Sequence, residues 1–279
     1  MNERTGADRK AAIDREKAAS AEERPAKGLQ EDLIVGRNPV LEALRSGRPI
    51  DSVLLAKGGV GGPVARILSL CRQNGVVVKE VSPAKIESLC PGANHQGVAA
   101  FAAAHAYATV EEILDRAAQR GEPPFVVIAD EITDPHNLGA IIRSAEAAGA
   151  HGVILPRRGA AGLTATVDKA SSGALEYLPV ARVANLVSTI EMLKKKNIWI
   201  YGADMAGKAY YETDFGGGVA LVVGSEGAGI SRLVKEKCDF LVSIPMRGRI
   251  GSLNASVACG ILLYEVAKHR IAGGPQTSV

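Results

Sequence analysis

The sequence predicts an α/β protein whose second half is built on a parallel sheet with helices on both faces. Two observations carry this. From residue 125 onward, short continuous apolar runs alternate with helical stretches, the pattern of strands buried on both sides. Before that lies a shorter run of the same alternation, set apart by a helical segment over 107–121 that Gly121 and Pro123-Pro124 terminate. The chain therefore divides into a tail over 1–31, a small α/β domain over 32–104, a linker over 105–122, a larger domain over 123–271 and a C-terminal tail over 272–279.

Residues 1–31 mix Lys, Arg, Glu, Asp and Ala with almost no large apolar side chains. They cannot bury enough surface to offset their ordering entropy, so they read as a disordered tail. Order begins near Leu33. Asn38-Pro39 opens a short helix over 40–44, since proline suits the first helical turn. A strand over 52–56, a helix over 64–73 closed by Asn74-Gly75, a strand over 76–81, a helix over 83–89 and a strand over 97–103 complete the small domain. The loop Gly58-Gly59-Val60-Gly61-Gly62 interrupts it, and no Lys-Ser/Thr follows to make a phosphate-binding loop. In the larger domain, strands are expected over 125–129, 152–155, 178–183, 198–203, 219–223 and 240–244. Helices are expected over 138–148, 186–195 and 252–268. Sheets of this kind bind ligands beyond the carboxyl ends of their strands.

Composition narrows the function classes. Hydrophobic residues make up 47% and charged residues 23%, as in ordinary globular proteins. A net charge of +3 permits a polyanionic partner without requiring one. Cys71, Cys90, Cys238 and Cys259 lie far apart, with no C-x-x-C pair and no histidine at ligand spacing. Neither a metal site nor a disulfide framework is expected, and the thiols fit buried positions in a reducing cytoplasm. The first residues lack the apolar core of a secretory signal, and no run of about 18 apolar residues suggests a membrane span.

Three segments after expected strands are unusual. In Asp134-Pro135-His136-Asn137-Leu138-Gly139, Asn137 falls at a helix N-terminus where its side chain could cap, and Arg143 follows six residues on within an apolar run. A plain cap and a surface arginine would explain this pair equally well. In Gly224-Ser225-Glu226-Gly227, glycines after a buried strand let a ligand approach the backbone. Glu226 would repel a pyrophosphate, and the glycine order is not that of a dinucleotide fold. The third segment runs from Ile244-Pro245-Met246 through Arg247 and Arg249 to Ser252-Leu253-Asn254-Ala255-Ser256. Its arginines suit phosphate contacts. Capping explains one of Ser252, Asn254 and Ser256, but hardly all three.

Taken in order, these segments resemble the three motifs of the SpoU-type (SPOUT superfamily) RNA 2′-O-methyltransferases, over about residues 125–270. Val35-Gly36-Arg37-Asn38-Pro39 and His95-Gln96-Gly97-Val98 resemble the small L30e-like domain that many members carry, and the pattern is most similar to the 23S rRNA guanosine subgroup. The resemblance implies a C-terminal trefoil knot in the catalytic domain, S-adenosyl-L-methionine bound there, a homodimer, and RNA as substrate. It implies that Ala203, Gly224, Ile244, Met246 and Leu253 contact the cofactor. Arg143 would activate the ribose hydroxyl, as base or as charged anchor, with Asn137, Glu226, Ser252 and Asn254 orienting it and the ribose. Arg37, Arg247 and Arg249 are candidate RNA contacts, joined by Arg45, Arg48 and Lys57 on the small domain. The competing readings are a tRNA 2′-O-methyltransferase and a non-catalytic RNA-binding, ribosome-associated protein; the presence of Asn137, Arg143, Glu226 and Asn254 together speaks against the second.

Overall fold

The computed structural model describes residues 32–271 apart from 59 and 60. The two expected tails and the middle of the glycine-rich loop therefore lie outside the described residues. The small N-terminal sheet has four strands, β1 (Leu33–Val35), β2 (Ile50–Ala56), β3 (Val77–Val81) and β4 (Val98–Ala102), in the order β1-β4-β2-β3. Only β2 and β3 run parallel. Helices α1 (Arg37–Arg45) and α2 (Gly62–Gln73) cover one face, packing Val40, Leu44 and Ile67 on Val53, Leu55 and Ala100. Helix α3 (Pro83–Leu89) covers the other, with Ile86 against Leu54 and Ala99. The opening helix starts three residues earlier than expected, at Arg37, and β1 was not anticipated because three residues carry no period.

Helix α4 (Val110–Arg120) leads into the larger sheet. Thr109 and Glu112 form a reciprocal capping box, and Gly121 ends the helix in the left-handed conformation. It is shorter than the segment expected from 107, because Ala108 bridges to Ala181 of the sheet instead.

The larger sheet is parallel throughout. Its strands are β5 (Phe125–Ala129), β6 (Gly152–Pro156), β7 (Val180–Val183), β8 (Ile198–Ala209), β9 (Gly218–Val223) and β10 (Phe240–Ser243). Their order is β10-β8-β9-β5-β6-β7. Both faces are covered. Alternate residues Phe125, Val127, Val153, Leu221 and Val223 pack on α5 (Pro135–Ala147), α6 (Ala165–Ser171) and α9 (Ala255–Ile271). The opposite residues Val126, Ile128, Ile154 and Val222 meet α4, α7 (Leu186–Lys195) and the short α8 (Arg232–Lys235). Among the described residues no helix is long and apolar enough to cross a membrane.

Strand β8 runs six residues beyond its expected end, and the extension is irregular. Gly202 pairs with Leu241, yet the next partner of β10 on β8 is Lys208. Residues 203–207 therefore leave the ladder as an excursion. It closes where Gly207 presses on β10: a Cβ there would lie 2.4 Å from the Leu241 carbonyl carbon.

A seam joins the two sheets. Asp51 of β2 pairs with Arg182 of β7 at 3.0 Å, both side chains under a tenth exposed. Tyr107 Oη donates to Asp51 at 3.0 Å and accepts the Leu163 N–H at 3.0 Å, while the Arg182 guanidinium lies over its ring. Burial pushes the Tyr107 phenol well up, keeping it a donor at neutral pH.

Candidate active site

The site forms where β5, β9 and β10 end. Asp134 caps α5 by accepting the His136 N–H at 3.0 Å, with Pro135 in the first turn. The expectation that Asn137 caps is thus corrected: Asp134 takes that role, and Asn137, 9% exposed, turns inward. Its Nδ2 donates to Glu226 Oε1 at 2.9 Å, and its Oδ1 accepts Asn254 Nδ2 at 2.8 Å. Asn254 Nδ2 also donates to Glu226 Oε1, closing a triangle of three side chains from distant parts of the chain. The Ala255 N–H reaches the same carboxylate oxygen at 3.4 Å. Among the described residues Glu226 Oε2 has no protein hydrogen bond, so an exposed acceptor remains.

Asn254 also caps α9. Its Oδ1 accepts the N–H groups of Ser256 at 3.0 Å and Val257 at 3.2 Å, and the Ser256 hydroxyl at 2.6 Å. The helix therefore begins at Ala255, not at the expected Ser252, because the first residue able to satisfy its orphan amides is Asn254.

Gly224 has a local structural reason to be glycine. A Cβ on it would lie 2.0 Å from the Gly229 carbonyl carbon. Ser225 and Gly229 exchange both backbone hydrogen bonds, at 3.0 and 2.9 Å, so the glycine permits a tight loop that presents Glu226. The buried Asp130 holds this loop from below by accepting the Ser231 N–H at 2.7 Å. Asp130 escaped the sequence reading, although an acidic residue directly after a buried strand was the available signal.

Beside the triangle is a cleft of about 130 Å³ between the β8 excursion, β10 and the start of α9. Four of the five expected cofactor contacts, Ala203, Ile244, Met246 and Leu253, line it together with Ser252; Gly224 does not. Its walls are otherwise largely apolar, from Val242, Ala258 and Leu262. Asp204 at its edge forms an ion pair with Lys235 at 2.6 Å. Burial works against the Asp204 carboxylate, but its bonds from Lys235 and the Ala206 N–H prevail and hold it below the usual range. Asp204 was not singled out in the sequence because nothing there reveals the excursion.

Arg143 is exposed on α5, and its side-chain hydrogen bond goes to Ser172 Oγ at 3.2 Å rather than to the triangle. Ser172 holds a left-handed backbone, φ 51°, at the end of α6. None of Asn137, Glu226, Ser252 and Asn254 hydrogen-bonds Arg143 within the chain, so the expected orientation of Arg143 by these four is absent from the single protomer. Arg247 and Arg249 are exposed on the loop after β10, while Arg37 spends its Nε on the Gln96 carbonyl at 3.0 Å. Arg45 pairs with Glu42, and Arg48 and Lys57 are exposed. The thiols are no part of the site: burial raises Cys71 to about 11 and Cys259 to about 12, and Cys238, half-buried, also to about 12. Among the described residues no group of His, Cys, Asp and Glu is gathered as a metal site.

Two family models match the chain. The SpoU rRNA Methylase family covers residues 124–264, and the RNA 2′-O ribose methyltransferase substrate binding model covers residues 33–108. YacO of Bacillus subtilis, named for the TrmH family of tRNA/rRNA methyltransferases, is 46% identical over 242 residues, spanning 86% of this chain and 97% of its own. Among solved structures, the SpoU methyltransferase AviRb from Streptomyces viridochromogenes in complex with AdoMet aligns with a TM-score of 0.56 at 29% identity, over 86% of this chain and 91% of that one. The AdoMet-bound rRNA methyltransferase from Sinorhizobium meliloti aligns with a TM-score of 0.53 at 28% identity, over 85% and 87%.

Proposed function

Because the chain belongs to the SpoU rRNA methylase family, we propose that it methylates a ribose 2′-hydroxyl in RNA, a guanosine of 23S rRNA, using S-adenosyl-L-methionine. The observation that carries this reading is the Asn137–Glu226–Asn254 triangle standing directly beside the apolar cleft.

The lining of the cleft suits part of the cofactor. Apolar walls from Ala203, Ile244 and Leu253 suit an adenine, and the excursion of β8 leaves main-chain groups free of the ladder to read its edges. When bound, S-adenosylmethionine supplies a methyl group on a sulfonium, whose departure needs no protonation. The protein's task is then alignment and control of charge at the 2′-oxygen. Glu226 Oε2 is an open acceptor that can bind the ribose hydroxyl and take its proton as the oxygen bonds to the methyl carbon, and Ser252 lines the same wall. Asn137 and Asn254 hold the carboxylate by donating to its other oxygen. The planar guanidinium of Arg143 suits an anchor for the phosphate and for developing negative charge on the oxygen.

Arg143 lies apart from the triangle within one chain, which accords with a homodimer whose sites draw on both subunits. The outward face of α9 supports that assembly: Val257 and Tyr264, seven residues apart, are 51% and 56% exposed. Helix α9 also packs on α5, the helix that bears Arg143. The smaller sheet, with helices on both faces and matched by a substrate-binding model, supports an L30e-like RNA-binding domain over 32–104 and a linker over 105–122 before the catalytic domain. We assign the trefoil knot to the stretch from β8 to α9, in accord with the order β10-β8-β9 and the return of α9 to the α5 face. With RNA as substrate the reaction belongs in the cytoplasm.

The test is incubation with radiolabelled S-adenosylmethionine and either unmodified 23S rRNA or bulk tRNA, followed by mapping of the 2′-O-methyl group. Label on a 23S rRNA guanosine ribose is the expected result. Label on tRNA alone overturns the substrate assignment. Absence of both label and cofactor binding overturns the enzymatic reading in favour of an RNA-binding protein.

A further inference from the structure

Three arginines have a buried Nε without a hydrogen-bond partner, and they differ in what their other nitrogens do. Arg182 bonds the Asp51 carboxylate and carbonyl, and Arg270 bonds the carbonyls of Pro123, Pro124 and Gly217. Arg157 has no hydrogen bond or ion pair from its side chain among the described residues. It directly follows β6, where its own N–H donates to the Val183 carbonyl at 2.7 Å, and its side chain reaches the small domain. There the guanidinium packs under Gly75: a Cβ at that residue would lie 3.2 Å from Nη2. Gly75 has a left-handed backbone, φ 65°, directly after the end of α2. Arg158 beside it is exposed and also unpaired among the described residues, and exposed Arg72 lies in the last turn of α2 leading to the same place. An acid close to this turn is Glu131, whose Cγ would stand 3.9 Å from a Cβ on Gly159. It bonds neither arginine.

A partly buried guanidinium with idle donors is costly unless an anion completes it. Its place suggests which anion. Strand β6 adjoins β5, and β5 adjoins β9, so the ends of three neighbouring parallel strands carry Arg157 and Arg158, then the loop to Asn137, then Glu226. Two strand spacings separate the first from the last, about 10 Å. We propose that Arg157 and Arg158, at the junction with Gly75 of the small domain, bind a phosphodiester of the substrate RNA a few nucleotides from the ribose held at the triangle. This rests on the reading of the protein as an RNA methyltransferase. The planar, bidentate guanidinium matches a phosphate, and the position on the seam lets one strand touch both domains.

The experiment compares wild type, Arg157→Gln/Arg158→Gln and a charge-matched control, Lys195→Gln/Lys196→Gln, at the end of α7 before the amino end of β8. Each is titrated with a fragment of the RNA that wild type methylates, at several salt concentrations. The arginine variant should bind roughly tenfold more weakly at low salt, since charge-assisted hydrogen bonds are lost. Its salt dependence should flatten by about 0.7 per lost phosphate contact, and KM for RNA should rise. S-adenosylmethionine affinity and thermal midpoint should match the control, showing an intact fold. Affinity and salt slope equal to the control would overturn the proposal. So would loss of self-association with RNA affinity intact, which would place a protein carboxylate there instead. A wild type that neither binds nor methylates RNA would bring down the underlying reading, a different result.

Discussion

The backbone N–H of Phe125 donates to His151 Nδ1 at 3.0 Å, while the His151 N–H donates to the Phe125 carbonyl at 2.7 Å. The imidazole must therefore be unprotonated at Nδ1, and its Nε2–H faces Glu122 Oε2 at 3.1 Å. The ring is fully buried. Burial lowers its affinity for a proton, nearby Glu122 works the other way, and Arg270 and Arg120 add to the lowering; the outcome is a value below the ordinary 6.5. Between that folded value and 6.5 the unfolded chain holds a proton that the folded chain does not. Stability from this group is thus complete above 6.5 and falls as the solution is acidified through that window, by at most about 1.4 kcal/mol per pH unit. Urea unfolding at several pH values should show this slope in wild type and a shallower one in His151→Ala.

Asp51→Ala should be among the most damaging single changes. It leaves the Arg182 guanidinium buried against Tyr107 with no counter-charge, which costs about 3–5 kcal/mol. Asp51→Ala/Arg182→Met should recover much of this, because the stranded charge is removed with its partner. Denaturant midpoints of wild type and both variants settle it: equal midpoints for the two variants would show that the stranded charge is not the source of the loss.

Asn254→Asp separates the two tasks of one side chain. An aspartate keeps the oxygen that accepts the Ser256 and Val257 amides, but has no donor for Asn137 and Glu226 and sets a second negative charge beside Glu226. Helix content by circular dichroism should be retained while methyl transfer falls by about 10²-fold or more.

Arg143→Ala should leave stability within about 0.5 kcal/mol, since the exposed side chain gives up a single hydrogen bond to Ser172. Turnover should fall by about 10³-fold with S-adenosylmethionine binding retained. Arg143→Lys distinguishes a point charge from a fork: recovery below a tenth of wild-type rate would show that bidentate geometry matters. Single-turnover methylation with parallel calorimetry of cofactor binding reads both.

How much was legible followed from what the residues repeat. Strands such as Phe125–Ala129 and Gly218–Val223 are continuous apolar runs, and those positions came directly from the sequence. Helix α6 was missed because seven residues, Ala165–Ser171, leave too few turns for a period to show. The outer half of β8 was missed because Asp-Met-Ala-Gly-Lys-Ala has no strand alternation; its place is set by β10 through space. The start of α9 was set at Ser252 because Ser252, Asn254 and Ser256 are all capping types, and only backbone geometry chooses among them. At the site, the resemblance of the ordered motifs to a known family brought Asn137, Glu226 and Asn254 into one hypothesis. The direction in which Gly224 lacks a side chain, and the pairing of Arg143 with Ser172, depend on contacts that no local pattern encodes.

The excursion of β8 has an evolutionary corollary. Between Gly202 and Lys208 the wall of the cleft is shaped by the path of the main chain, and every amino acid except proline brings the same amide and carbonyl. Relatives can therefore drift in side-chain identity across 203–206 while the shape offered to a ligand persists. Gly207 is the fixed point, because any larger residue would collide with the Leu241 backbone. A comparison that scores letters alone is blind to this wall, because it is the part of the pocket that substitution is least able to reach.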